Sequence, residues 1–598
     1  MPAPAVLARI LAHVRRLGTD WRSEKLRRTL RRALVADTRS ADRSGLHLIR
    51  VDPAIDPRQL TCEAFFLDPP TIERHYRERA NLIGAIDPRW GSRFSRGLAL
   101  RLAKRCGVRM ARDGGLDGET AARAWFFAIW TEICTLVPAR HLARHLARQA
   151  KGELVVIPVA SLGARFLGFW NSNELEPFYL AAELQRAGAY VVLLMTGDEG
   201  REAGDDEDLS LTFVPHPGCY PHTTGAEPDR REGPTAVLIT SALRDWARVK
   251  ARCGDPWLLE STFSPMPGPF DFGLLPPGTP RPRVWTRRIV RRPSIKGGRV
   301  AMYRTETLPG DLLGELVETV GDLTHAAFRR ATDIVETFDV RSLHICDHAF
   351  FETALVAEAT RRHGGSVSVW PHSSNAVHVE TRARERLDRV TCITRAAART
   401  WLRNRPDRRT TIDSSLMLHP PGGARPFVPG APLSIVVIAG AHNLSRMPLM
   451  DAVGHRATYR ALFAALAALV PKVDLVFKSK GHWETDEWLR GIVEDPSGIA
   501  FTDRHPNDID LPNTIFLNIS HASSALLEGI GRGVPGMVAR EILVEDYVEV
   551  DPRAVPTGDV ATIASAVAAC RDPAVFKALI ARQIAWYAAE THFPSEEP

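Results

Sequence analysis

The chain has 598 residues, of which 44% are hydrophobic and 25% charged, and its formal net charge is +7. This composition is ordinary for a soluble protein of two to four domains. The eight cysteines form no Cys-x-x-Cys sequence, which argues against a zinc site and a disulfide framework and favours a reducing compartment. Without a secretory leader or a run of 18 uncharged apolar residues, the sequence predicts a cytoplasmic protein.

The positive charge is concentrated at the start of the chain. Residues 1–50 contain twelve Lys/Arg and four Asp/Glu, a balance of +8, so the remainder sums to −1. Residues 1–35 have the pattern of a basic amphipathic helix, which suits the anionic surface of a membrane. The same pattern also suits a terminal helix that packs on its own protein with a solvated arginine face. Nucleic acid is not expected as a partner, because no aromatic stacking pattern or known motif accompanies the charge.

Residues 1–150 are predicted to form a basic, mainly helical N-terminal extension without chemistry of its own. Its most apolar stretch, Ala124–Val137, is short and contains Glu132, so it predicts a buried helix.

Residues 151–405 are predicted to form a first Rossmann-like domain. Alternating strand and helix patterns support this, with strands at Leu154–Ala160, Tyr190–Met195, Thr235–Thr240, Ser342–Asp347 and Ser366–Trp370. Residues 198–234 and 256–296 read as loop and connector, and residues 406–432 read as the interdomain linker. Asp347 and His372 come where two of these strands end, so they are predicted to face the crevice of the sheet.

Residues 433–598 are predicted to form a second Rossmann-like domain that carries an anion site. One strand, Val473–Phe477, is followed by Lys480 and His482. Another, Thr514–Ser520, leads through Ser523 and Ser524 into a helix at Ala525–Gly533. Free N–H groups and the positive end of the dipole make a helix N-terminus an anion site. The alternative interpretation is that one serine is simply the N-cap and Glu528 an ordinary acid of the first turns.

Lys480-Gly-His482 followed by Ser523-Ser524, Leu527-Glu528-Gly529 and Gly533-Val534-Pro535 resembles the donor domain of bacterial GT-B-fold glycosyltransferases of capsule and surface polysaccharide synthesis. The series covers about Ser434–Arg540 and is similar to members that use CMP-activated acidic sugars of sialic acid or Kdo type. Trp483 departs from it, because the family has proline after the histidine.

The resemblance implies an α/β fold of two Rossmann-like domains facing a cleft, GT-B-like. It also implies transfer of a sugar from a nucleotide-activated donor to a polysaccharide or glycolipid, with the nucleotide-sugar as co-substrate and no cofactor. No Asp-x-Asp is embedded at a strand end, so no obligatory metal is expected. The predicted donor-binding residues are Lys480, His482, Ser523, Ser524, Glu528, His442 and Asn443. The predicted catalytic residues are His482, which neutralises the leaving phosphate, and His372 or Asp347 as the base.

Three other functions remain open from the sequence. A CDP-polyol phosphotransferase shares the histidine and Ser-Ser pair, and a nucleotide-sugar epimerase of the same fold uses the same Ser/Glu helix. The third is a non-catalytic assembly protein that docks at the inner face of the cytoplasmic membrane through its basic arm.

Overall fold

The structure is a computed structural model that describes the following residues: 46–51, 67, 88–111, 115–149, 154–159, 163–166, 175–195, 209–215, 235–240, 250, 253, 256–260, 271–274, 286–291, 300–305, 308, 312–346, 351–370, 387–404, 409–439, 452–469, 473–479, 486–519, 523–540 and 550–594.

These residues form twelve α-helices, two short 3-10 helices and nineteen strands. The helices are α1 (Pro88–Met110), α2 (Gly118–Gln149), α3 (Glu176–Arg186), α4 (Leu312–Thr319), α5 (Gly321–Thr337), α6 (Phe351–Arg362), α7 (Arg395–Asn404), α8 (Ala452–Ala467), α9 (Asp486–Arg490), α10 (Ser524–Gly531), α11 (Val560–Ala569) and α12 (Pro573–Glu590). The strands are β1 (Leu46–Val51), β2 (Leu154–Val159), β3 (Gly163–Phe166), β4 (Tyr190–Met195), β5 (Leu209–Pro215), β6 (Thr235–Thr240), β7 (Trp257–Glu260), β8 (Thr286–Arg291), β9 (Val300–Thr305), β10 (Val340–Ile345), β11 (Ser366–Val369), β12 (Arg389–Cys392), β13 (Arg409–Ile412), β14 (Leu433–Ile438), β15 (Val473–Lys478), β16 (Ile499–Thr502), β17 (Thr514–Ile519), β18 (Gly536–Ala539) and β19 (Thr557–Gly558).

The C-terminal sheet is parallel throughout and has the order β16-β15-β14-β17-β18-β19. Numbered along the chain, this is 3-2-1-4-5-6, the order of a dinucleotide-binding Rossmann sheet. Strands β14, β17 and β18 are buried along their whole length, as expected for a parallel sheet with both faces covered. The order in which successive strands are added reverses between β14 and β17, so a ligand crevice is expected at the carboxyl ends of these two strands.

The preceding sheet is also parallel and has the order β13-β12-β11-β10-β6-β7. Numbered along the chain, this is 2-1-3-4-5-6 read from the other edge, another doubly wound order, with its reversal between β6 and β10. The predicted fold class, α/β with two Rossmann-like sheets, is therefore confirmed.

A third sheet was not predicted. It is mixed, with the order β2-β4-β1-β9-β8-β5-β3. The strands of residues 151–405 thus fall into two sheets, and β2 and β4 belong to the mixed one rather than to the Rossmann sheet. Four strands lie where the sequence predicted something else: β1 in the helical extension, β5 in the loop, and β7 and β8 in the connector. β13 likewise lies inside the predicted linker and closes the edge of the first Rossmann sheet. The domain boundaries themselves stay predictions.

Helices α1 and α2 form a hairpin that packs into the core of the protein. Trp125 of α2 is 1% exposed and stacks on Phe351 of α6, with ring centroids 4.7 Å apart. On the same helix the buried Glu132 accepts a hydrogen bond of 3.1 Å from Tyr179 of α3. One hydrophobic cluster joins the hairpin to both neighbouring sheets, so α2 is a buried helix, as predicted. No helix within the described ranges is long and apolar enough to cross a membrane.

Helix α12 ends against the first Rossmann sheet although it begins against the second. Glu590, its last residue, accepts hydrogen bonds from the backbone N–H of Ala396 (2.8 Å) and from the guanidinium of Arg399 (2.9 Å), and so caps α7. Two residues later, the carbonyl of His592 accepts a 2.8 Å hydrogen bond from the backbone N–H of Ser414, and the N–H of His592 donates one of 2.9 Å to the Ser414 hydroxyl. The last helix therefore connects the two Rossmann sheets.

Candidate functional site

The Ser-Ser turn lies between the end of β17 and the start of α10. Ser523 occupies the N-cap position with an extended backbone (φ −114°, ψ 166°), but its side chain makes no capping hydrogen bond. Its Oγ lies instead 3.1 Å from Nδ2 and 3.3 Å from Oδ1 of Asn518. Asn518 is fully buried in β17. The interpretation of Ser523 as a simple N-cap is therefore wrong for its side chain, which the strand holds away from the first-turn N–H groups.

This turn lies at the point where the strand order of the C-terminal sheet reverses. α10 starts where β17, the fourth strand along the chain, ends, and β17 pairs with β14, the first. Ser523 and Ser524 are both partly exposed there. A helix N-terminus with partly exposed hydroxyls at this point of a doubly wound sheet can hold a phosphate group.

Glu528 lies one turn further along α10, between two other elements. Its Oε2 is 3.9 Å from Nε2 of His505, which follows β16, and the glutamate side chain is 13% exposed. On the other side, burial and the negative charge of Glu528 raise the pKa of Tyr587 in α12. The Tyr587 hydroxyl donates a 2.7 Å hydrogen bond to the carbonyl of His419. Glu528 is thus held at the boundary between the crevice and the interior.

The glycines that follow Glu528 are explained by packing. A side chain on Gly529 would clash with the Phe516 ring of β17, and a Cβ on Gly531 would lie 2.6 Å from the Tyr587 hydroxyl. α10 is pressed between the strand on one side and α12 on the other, and only glycine permits this approach. This part of the family-like motif therefore serves the fold as well as any ligand.

Six of the predicted site residues lie outside the described residues, so only Ser523, Ser524 and Glu528 have a described structure. The six are Asp347, His372, His442, Asn443, Lys480 and His482. Their roles stay predictions. Within the described ranges, no group of three or more His, Cys, Asp or Glu side chains could hold a metal ion.

Sequence reasoning missed two residues of this region, Asn518 and His505. Asn518 is the one amide in the strand Thr514–Ile519. A polar residue near the carboxyl end of a buried strand could have been recognised as a candidate site residue. His505 comes three residues after β16, where the carboxyl end of a parallel strand also faces the ligand edge.

The other Rossmann sheet contains a half-buried imidazole near the strand ends that precede Asp347 and His372. Nδ1 of His344 in β10 accepts a 2.9 Å hydrogen bond from the indole N–H of Trp370, which follows β11. The proton therefore belongs on Nε2, 3.0 Å from the Ser342 hydroxyl. Burial, with a smaller contribution from the positive charge of Arg389, lowers the pKa of His344 from 6.5 to about 4.

This pKa shift predicts a loss of stability in acid. The folded pKa lies below the unfolded one, so only the unfolded chain takes up this proton between pH 6.5 and pH 4. Stability should be complete above pH 6.5 and fall across that window by an amount on the order of 3 kcal/mol. The measurement is urea denaturation of wild type and His344→Asn at each pH, since asparagine keeps an acceptor for Trp370 and does not titrate. Parallel pH profiles of the two proteins would contradict the prediction.

Comparison with known proteins yields no family model and no curated protein that matches the chain. Solved structures that are similar to it include UDP-GlcNAc 2-epimerase from Neisseria meningitidis bound to UDP-GlcNAc (10% identity, 58% of this chain and 93% of that chain, TM-score 0.35). Others are MurG from Acinetobacter baumannii (11%, 60% and 93%, 0.32) and the lipopolysaccharide outer core galactosyltransferase WaaB (9%, 59% and 98%, 0.34). TM-scores this low do not establish a shared fold, so the fold class is assigned from the strand orders given above.

Proposed function

We propose that the protein transfers a glycosyl group from a nucleotide-activated sugar to a surface polysaccharide or glycolipid. The observation that carries the proposal is the position of the Ser523 hydroxyl, which Asn518 holds at the start of α10. This is the point where the strand order of a Rossmann sheet reverses. The phosphate of the nucleotide-sugar would bind to Ser523, Ser524 and the N–H groups of the first turn, because those N–H groups lack partners within the helix and the positive end of the helix dipole lies there.

In the proposed reaction, the bond between the anomeric carbon and the phosphate oxygen breaks while an acceptor oxygen bonds to that carbon. The acceptor proton passes to His372 or Asp347. Lys480 and His482 would stabilise the negative charge on the leaving phosphate. Glu528 would hold hydroxyl groups of the ribose or sugar, and His442 and Asn443 would add contacts to the donor. In the narrowest form of the proposal, the donor is a CMP-linked acidic sugar, and residues 1–35 hold the enzyme at the inner face of the cytoplasmic membrane.

The first test is a thermal-shift panel of CMP, CDP, UMP, UDP, GDP and dTDP. A nucleotide at a hundredfold its Kd should stabilise the wild type by about 2.7 kcal/mol. Ser523→Ala/Ser524→Ala should lose this stabilisation, whereas the control Ser497→Ala/Ser565→Ala, at two exposed serines, should keep it. A double variant that still responds like wild type would refute the Ser-Ser site.

The nucleotide that binds then selects the sugar for an assay of turnover. Transfer to an acceptor supports the proposal, and conversion of the nucleotide-sugar without an acceptor would identify an epimerase instead. Release of an alditol phosphate would identify the phosphotransferase. Nucleotide binding without any turnover would identify a non-catalytic assembly protein.

We infer that turnover needs no metal ion. An Asp-x-Asp sequence does occur at Asp508–Asp510, but it lies in the loop that enters β17 at its amino end, and Asp510 pairs with Arg425 at 3.0 Å. Activity should therefore persist in EDTA, and should not rise when Mg²⁺ or Mn²⁺ is restored. A loss in EDTA that Mg²⁺ reverses would contradict this inference.

A further inference from the structure

The outer face of α1 presents a row of cations. Exposed side chains recur at three- and four-residue spacing along this face, whereas the opposite face consists of small buried residues that pack against α2. A Cβ on Gly107 would clash with the backbone of Gly118, so the two helices lie very close together. The exposed residues, which we call the α1 row, are Arg101, Lys104, Arg105, Val108 and Arg109.

The charge of this helix is not balanced. α1 contains seven Lys/Arg and no Asp/Glu in 23 residues. Like charges four positions apart, as at Arg101, Arg105 and Arg109, destabilise a helix, and a solvated protein surface ordinarily mixes both signs. Arg109 has a partner in Glu318, but Arg101, Lys104 and Arg105 form no ion pair with any residue that the structure describes. The repulsion within the α1 row is thus largely uncompensated.

A second row lies on the last turns of α2. The sequence Ala-Arg-His-Leu occurs twice in succession from Ala139 and is followed by Ala-Arg, which places arginine at positions 140, 144 and 148. All three arginines are exposed, while Leu142 and Leu146 are at most 4% exposed. Four-residue spacing aligns the arginines along one side of the helix.

The hairpin is therefore a second centre of positive charge besides residues 1–50. Residues 88–149 contain twelve Lys/Arg and four Asp/Glu, a balance of +8. Together with the +8 of residues 1–50, this leaves −9 for the rest of a chain whose total is +7. The positive charge is therefore concentrated in two segments, residues 1–50 and residues 88–149.

We propose that the α1 row and the arginines at the end of α2 bind the anionic surface of a lipid bilayer. α1 is about 35 Å long, so its straight row can lie along a flat surface. Arg109 pairs with Glu318 and Arg140 of α2 with Glu183, but Arg101, Lys104 and Arg105 form no ion pair with a described residue, which suits attraction to a field of anionic headgroups. Val108 is 59% exposed among the cations, and an apolar side chain in that position can enter the headgroup region. Trp125 and Phe126, the aromatic residues of the hairpin whose side chains the structure describes, are 1% and 8% exposed and so offer no ring for stacking on bases.

The test is co-sedimentation of the full chain with vesicles of phosphatidylcholine alone or with about a third phosphatidylglycerol, an anionic lipid. The variant is Arg101→Gln/Lys104→Gln/Arg105→Gln. Its matched control is Arg553→Gln/Arg571→Gln/Lys577→Gln, which removes the same charge from exposed positions of the C-terminal domain. Wild type and control should bind the anionic vesicles alike, and the α1 variant should bind them roughly tenfold or more weakly, since each cation adds to the attraction. High salt should weaken all three, because it screens the charges.

Three results would overturn the proposal. Equal weakening in both variants would mean that net charge alone attracts the protein, and no weakening in the α1 variant would mean that other residues bind. Binding to duplex RNA but not to vesicles would identify a different partner. The thermal shift with a nucleotide, measured on the same variants, tests the donor site separately and should be unchanged.

Discussion

Replacing Trp125 by alanine should lower the free energy of unfolding by about 3 to 5 kcal/mol, the usual cost of removing a large aromatic side chain from a core. The indole is 1% exposed, stacks within 6° of parallel on Phe351, and donates a 2.6 Å hydrogen bond to the buried Thr324 hydroxyl. Urea denaturation measures the change. Trp125→Phe, which keeps the stacking partner and loses the donor, should cost clearly less.

The matched control is Val108→Ala on α1, because this valine is 59% exposed and its loss should change stability by less than about 0.5 kcal/mol. The experiment decides how the hairpin relates to the rest of the protein. A loss below about 1 kcal/mol for Trp125→Ala would mean that the hairpin is an appendage whose packing stabilises nothing else. The expected loss means that residues 88–149 are part of the core.

The second large effect is expected at Gln583 of α12. Its Oε1 accepts a 2.8 Å hydrogen bond from the N–H of Gly536, and its Nε2 donates one of 2.7 Å to the carbonyl of the same glycine. β18 pairs with β19 only at Val538 and Ala539, so the side chain replaces the missing strand at Gly536. Gln583→Leu leaves two buried backbone groups without partners and should cost about 2 to 6 kcal/mol, at 1 to 3 kcal/mol for each.

Arg582→Leu is the control, since it introduces the same residue at the neighbouring exposed position of α12. Gln583→Glu should be destabilised at neutral pH, where a buried ionised carboxylate faces the carbonyl of Gly536, and should recover in acid, because the protonated carboxyl accepts from the N–H and donates to the carbonyl. A Gln583→Leu protein as stable as the control would show that water or a shifted strand satisfies Gly536.

Much of the C-terminal sheet could be predicted from the sequence. The strand predicted at Val473–Phe477 extends one residue further in the structure, and the strand predicted at Thr514–Ser520 ends one residue earlier. Central parallel strands are continuous apolar runs, and glycine ends helix α10, so both boundaries are visible in the residues themselves. The missed strands differ physically. β8, with the sequence Thr-Arg-Arg-Ile-Val-Arg, pairs antiparallel with β5, and its composition does not distinguish it from a loop.

Strand order could not be predicted, because it depends on pairings between distant segments. β2 and β4 were predicted almost to the residue, yet they pair with each other in a mixed sheet in which β4 also pairs with β1. The site shows the same limit. Ser523 and Ser524 were recognisable as a turn before a helix, whereas the bond from Asn518 to Ser523 depends on side-chain positions that spacing does not fix.

The crossing of α12 has a consequence for synthesis on the ribosome. Domains generally fold in the order in which they emerge, the N-terminal one first. Here Glu590 caps α7 and His592 pairs with Ser414, 178 residues earlier in the chain, so the first Rossmann sheet receives these partners long after its own strands have been made. Until then the buried hydroxyl of Ser414 and the N-terminus of α7 are without these partners. The two Rossmann units are therefore completed together, by the last turn of the last helix.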